Sequence, residues 1–277
     1  MKQLITLTFF FASTICAYSQ PTIGIYFTHH PYNSKGSAIE SIEETYELQI
    51  KEVPPRPFKI KMLFDKNGNL LSEAKFNSLE AKQSETKCEY NQNQKLTKKT
   101  QRFFVNMIGW KVDETTIIYN DTTGYISEIR FIKNGTLEYI SKVFCDKVGL
   151  PIEVRVLDNK GAFSMIERIS YSPNANIIRV MLLKPSGQYS SLHLYPIDYT
   201  KPFQSGPIER QYYPSGEVML ESLDYQTKTD QGYFYEYQYD GQGNWIEKET
   251  YQVALGKNNK IKDKKLEHKI IRAIKYY

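Results

Sequence analysis

The chain has 277 residues, a formal net charge of +5, 40% hydrophobic residues, and an aromatic share raised by 22 Tyr and 14 Phe. Its mild basicity, without a helix-turn-helix, zinc-finger or RNA-binding aromatic signature, argues against nucleic acid as a partner. Beyond the leader no stretch approaches the roughly 20 apolar residues of a transmembrane helix, and the aromatic bias favours strands, in one large all-β domain or two smaller ones.

The N-terminus, MKQLITLTFFFASTICAYSQ, has Lys2, an apolar run from Leu4 to Ala12, and Ala17 and Ser19 at the positions preceding a signal-peptidase cut. Residues 1–19 are therefore expected to be a cleaved signal peptide. The product would be periplasmic, outer-membrane-associated or extracellular. Lipidation at Cys16 is disfavoured because Ile15 is large and branched where a small residue is needed.

Residues 20–57 form an N-terminal segment that ends in a proline linker, EVPPRPF, whose prolines cannot donate to a ladder. Within it SAIE, Ser37 to Glu40, resembles a capping box, followed by Ile39, Ile42 and Tyr46 at helical spacing. This predicts one short helix.

From residue 58 to 277 apolar and polar residues alternate, broken about every ten residues by a turn signal. PFKIKMLF runs into DKNGN, PIEVRVL into DNKG, ERQYY into PSGE, and YFYEYQY into DGQGN. Gly135, Gly161, Gly187, Gly216 and Gly243 are separated by 26, 26, 29 and 27 residues, the length of two strands and two connections. Gly68 fits the same phase, Gln94 marks a degenerate turn, and Gly124 an extra hairpin. Such a period predicts a twisted antiparallel meander of stacked β-hairpins, an all-β fold. At the corners the Asp accepts backbone amides and the Gly supplies positive φ, which assigns Asp65, Gly68, Asp158, Gly161, Gly216, Asp240 and Gly243 to turn chemistry. Calcium binding by DKNGN is disfavoured, because its glycine comes at position four and not six. The proline-bearing connection 195–207 either divides two lobes or is a loop with a role.

The corner YDGQGNWIEKETY, with FDKNGNLLSEAKF, VLDNKGAFSMIERISY, YYPSGEVMLESLDY and the closing HKIIRAIKYY, resembles the YD/RHS-type repeats of secreted bacterial proteins. It looks most like the short versions in Gram-negative envelopes. The resemblance implies an exported, non-enzymatic β-meander. The chain departs from the family in its longer repeat and in Asn69 and Asn244, where an Arg often follows the turn glycine. It is also too short to build a toxin-enclosing shell.

Catalytic signals are sparse. His29 and His30 are adjacent and face opposite ways on a strand, while His193 and His268 sit in alternating runs. No nucleophile elbow or phosphate-binding glycine loop occurs, and neither a metal nor a cofactor is implied. Glu247 and Glu249 could share a strand face as glycosidase carboxylates do, but among Lys and Thr they read as a solvated face. The lysine-rich stretches Lys95 to Arg102 and Lys257 to Lys269 read as solvated turns and strand faces. Cys88 and Cys145 are either bridged, closing a long loop worth about 4 kcal/mol on the chain-entropy model, or two buried thiols in a sheet core.

The most informative pattern is YFYEYQY. Tyr233, Tyr235, Tyr237 and Tyr239 share one sheet face, and Trp245 begins the returning strand. The face is either a cross-strand ladder or an exposed aromatic platform. The pattern predicts a non-catalytic exported protein that binds a protein or glycan in the cell envelope through this face. Its alternatives are an envelope carbohydrate-active enzyme and a purely structural or assembly module.

Overall fold

The computed structural model describes residues 20–29, 31–48, 58–204, 209–222, 230–256 and 259–277. The leader with Cys16, His30, nearly all of the proline linker, and residues 205–207 of the long connection lie outside them. A five-residue helix, α1 (Gly24–Thr28), precedes seventeen strands. These are β1 (Ile39–Leu48), β2 (Phe58–Phe64), β3 (Leu70–Phe76), β4 (Lys82–Tyr90), β5 (Leu96–Val105) and β6 (Gly109–Tyr119). Then come β7 (Ile126–Lys133), β8 (Thr136–Cys145), β9 (Pro151–Asp158), β10 (Phe163–Ser172), β11 (Ile177–Leu183) and β12 (Tyr189–Pro196). The last five are β13 (Arg210–Tyr212), β14 (Val218–Ser222), β15 (Gln231–Tyr239), β16 (Trp245–Leu255) and β17 (Ile261–Tyr276).

Every ladder is antiparallel, and β1 to β12 pair in chain order. The sheet then continues from the other side of β1 through β17, back along the chain to β13. The last strand therefore lies against the first, and among the described residues no ladder joins β12 to β13. The sheet is an unclosed meander.

Eight of its corners share one construction. At Asp65 the backbone N–H bonds to the Asn69 carbonyl and the Gly68 N–H returns to the Asp65 carbonyl, while Oδ1 accepts the amides of Asn67 and Asn69. The corners starting at Asn77, Asn91, Asp146, Asp158, Lys184, Tyr213 and Asp240 repeat the backbone pair. Their fourth residue has positive φ, including Glu80 at 59° and Gln94 at 58°. A type I turn followed by a left-handed residue makes a bulged hairpin, and the register shifts beside these corners, as between Leu63 and Phe64.

Strand alternation gives the sheet one inner face. On it Ile117, Ile129, Ser141, Val156 and Met165 form a continuous row of cross-strand partners. α1 packs into this face, with Ile23 and Phe27 buried among Ile129, Val154 and Val180. A helix this short has no intrinsic stability, so tertiary contacts must satisfy its ends. The Glu167 carboxylate, with no solvent exposure, accepts the amides of Thr22 at 2.5 Å and Ile23 at 3.1 Å. Tyr199 donates to the Phe27 carbonyl at 2.8 Å.

The helix thus lies at 24–28 and not at 37–46. Ile39, Ile42 and Tyr46 belong to β1, which is hydrogen-bonded on both sides, to β2 and to β17. The two ladders outweigh a local capping signal, and the Ser37 amide bonds to Gln242 Oε1 instead. Cys88 and Cys145 are free thiols, on β4 and β8. Four inter-strand spacings of about 4.8 Å separate those strands, well beyond the reach of a disulfide. Burial pushes both thiols above their ordinary pKa.

Candidate ligand-binding cleft beside the tyrosine strand

β15 lies between β14 and β16, and alternation sends Tyr233, Tyr235, Tyr237 and Tyr239 to one face. The first three are half-buried, and Tyr239 is 39% exposed. The Tyr235 hydroxyl donates to Glu221 at 2.9 Å and the Tyr237 hydroxyl to the Val218 carbonyl at 3.1 Å. Burial is the largest cause of the upward pKa shift of both phenols. Lys248 Nζ stands 4.4 Å from the Tyr235 ring centroid, and burial, then the Arg272 charge, lowers its pKa. Arg272 lies 3.2 Å from the Trp245 ring centroid and forms an ion pair with the buried Glu44. Much of the face is thus a cross-strand wall of rings, cations and carboxylates whose hydroxyls are already bonded.

The wall opens at one end. β14 pairs with β15 only from Gly232 to Phe234, so Tyr235 to Tyr239 extend past it beside the corner Tyr213–Glu217. In that notch is a cleft of about 550 Å³, lined by Tyr213, Pro214, Ser215, Tyr237 and Tyr239 on one side and by Glu236, Gln238, Glu247 and Glu249 on the other. Tyr213 donates to the Tyr235 carbonyl at 2.8 Å, and Tyr239 reaches Glu217 and Ser215, each at 3.3 Å. Lys264 pairs with Glu236 and Lys269 with Glu247, each at 2.6 Å, and Lys269 stands 3.7 Å from Glu249. The cleft therefore offers ring faces, an amide and carboxylate acceptors held in place by lysines.

The other sequence candidates lie apart from it or bear on its frame. His29 shares a hydrogen bond with Tyr90 at 2.7 Å, His193 with Ser191 at 3.1 Å, and the half-buried His268 has its pKa lowered chiefly by burial. Asp240 and Gly243 form the corner after Tyr239, where Asp240 accepts Gln242 and Asn244 amides and a Tyr276 hydroxyl. Asp158, Gly161 and Gly216 lie in corners of the same construction. Sequence reasoning did not find Tyr213 or Ser215 as cleft residues, nor Glu167. It also missed strand-end tyrosines that donate to the neighbouring strand, Tyr90 to Leu70, Tyr119 to Leu96 and Tyr171 to Pro151. The signal was present, since Tyr119, Cys145 and Tyr171 are each 26 residues apart. Cys145 takes the same position, its thiol directed to the Ile126 carbonyl at 3.4 Å.

No protein-family model and no curated protein matches the chain, so the resemblance to YD/RHS repeats rests on the corners themselves. Among solved structures, a porin-like protein from Bacteroides uniformis is 13% identical, over 87% of this chain and 99% of its own, with a TM-score of 0.44. The Photorhabdus luminescens Tc holotoxin pore is 12% identical over 73% of this chain and 13% of its own, with a TM-score of 0.35. The TcdB2–TccC3 structure is 13% identical over 73% of this chain and 13% of its own, at 0.33.

Proposed function

We propose that this is an exported, non-catalytic binding protein that recognises a glycan or protein of the cell envelope in the cleft at the end of the tyrosine strand. The observation carrying the reading is a space of about 550 Å³ at the free edge of β15, lined by three tyrosines from one sheet face and by Gln238 and the lysine-held carboxylates from the other. That volume is within the range of small-ligand sites, which combine apolar walls with a few placed polar groups. Rings that stack on a sugar face, beside acceptors for its hydroxyls, favour a glycan, which is tested first. No helix among the described residues is long and apolar enough to cross a membrane. Export itself rests on the leader sequence.

The test is retention of the exported chain on immobilised cell-wall glycans and envelope proteins, run beside Glu247→Gln/Glu249→Gln with analysis of any released product. Retention with the glycan intact supports binding. Product release abolished in the double variant would replace this reading with the carbohydrate-active enzyme. A structural module is favoured by the internal bonding of the Tyr235 and Tyr237 hydroxyls, and it predicts retention on nothing.

A further inference from the structure

On the inner face, beyond the end of α1, the sheet changes from apolar to polar. Register places Lys99, Thr115, Phe131 and Tyr139 in one row of cross-strand partners, and Gln101, Asp113 and Lys133 in the next. Directly opposed residues share a face, so these two rows continue the surface that buries the helix. With Gln20, Pro21, Thr22, Ile25 and Glu138, all residues of these rows but Asp113 line a cavity of about 360 Å³. Phe131 and Tyr139 stack 4.9 Å apart and nearly parallel, giving the cavity a flat aromatic wall.

Many lysines on the sheet pair with carboxylates, as in Lys61–Glu43, Lys98–Glu114, Lys142–Glu128 and Lys264–Glu236. Among the described residues no carboxylate comes within 4.0 Å of Lys99 or Lys133. Asp113 is the cross-strand partner of Lys133, yet its Oδ1 is buried without a hydrogen-bond partner. Burial raises its pKa, and the Lys133 charge opposes the shift. Glu138 is exposed at the rim. Two ammonium groups with no ion-pair partner, two polar side chains and a flat ring pair thus face one space that α1 leaves open.

We propose that this basin binds a small organic anion whose carboxylate is carried on a ring, the ring lying on Phe131–Tyr139 and the carboxylate between Lys99 and Lys133. The site is separate from the tyrosine cleft, and because glucuronate and glucose are themselves sugars, titrations repeated on Tyr239→Ser separate binding in that cleft from binding here. Calorimetric titration of the exported chain with glucuronate should give saturable binding. Glucose, which has the ring without the charge, and acetate, which has the charge without the ring, should bind at least tenfold more weakly at matched ionic strength. Lys99→Met/Lys133→Met should weaken glucuronate at least tenfold, and Lys133→Met alone, at an exposed side chain, should show the same direction with the fold intact. Tyr239→Ser, outside the basin, should leave it unchanged. No saturable binding of glucuronate, equal binding of glucose, or undiminished binding by the double lysine variant would overturn the proposal.

Discussion

Glu167 brings an ionisable group to a point with no solvent exposure, where it receives two amides of the segment leading into α1. Its carboxyl pKa is raised because burial outweighs those hydrogen bonds. Glu167→Ala leaves two buried donors unmet and should cost about 2–4 kcal/mol, whereas Glu167→Gln keeps an acceptor and should cost less. Chemical denaturation of the two variants measures the difference. Nothing in the sequence near Glu167 announces this role, because its partners are 144 and 145 residues away. The corner aspartates are the opposite case. Burial opposes ionisation of Asp65 and Asp240, but their hydrogen bonds outweigh it and both pKa values are lowered. The stability they contribute is present above the unfolded pKa of about 3.9 and is lost as pH falls through the lower folded values. Asn occupies the same corner position at Asn77 and Asn91. Asp65→Asn/Asp240→Asn should therefore fold, and its melting temperature should fall less steeply than wild type below about pH 4.

At the scale of the element, the corner is the part most legible in the sequence, because its chemistry is contained in five residues. That locality let Gln94 be read as a turn without glycine, and it takes a φ of 58°. Equivalent corners are not equally tolerant. A Cβ at Gly161, φ +79°, meets nothing within 4 Å, so Gly161→Ala should cost only the left-handed penalty of about 1–2 kcal/mol. A Cβ at Gly68 would come within 2.6 Å of the Tyr32 carbonyl oxygen, where the N-terminal segment crosses the corner. Gly68→Ala should therefore destabilise clearly more than Gly161→Ala, and thermal melts of the pair check the order. Equal losses would mean that residue 32 does not press on that corner. The helix expected at 37–46 failed for the complementary reason. A capping box is a local preference, while β1 is fixed by two strands whose positions the local sequence does not encode.

At the scale of the whole molecule, the repeat predicted a meander, and the structure adds how the meander is used. The sheet wraps an N-terminal segment that is buried at α1 and crosses the corners at Gly68 and Asn244, where Lys35 exchanges backbone–side chain hydrogen bonds. The tyrosine face was legible as a face from alternation alone. Its division into a bonded wall and an open end was not, because that depends on β14 pairing only to Phe234. Tyr239 is the residue to change at that open end, being the most exposed of the four and lining the cleft. The measurement is retention of wild type, Tyr239→Ser and Tyr213→Ser on immobilised cell-wall glycans, with thermal melts in parallel. Recognition in the cleft predicts at least tenfold weaker retention for both variants, with Tyr239→Ser melting close to wild type. Retention unchanged in both variants, or absent already in wild type, would contradict it.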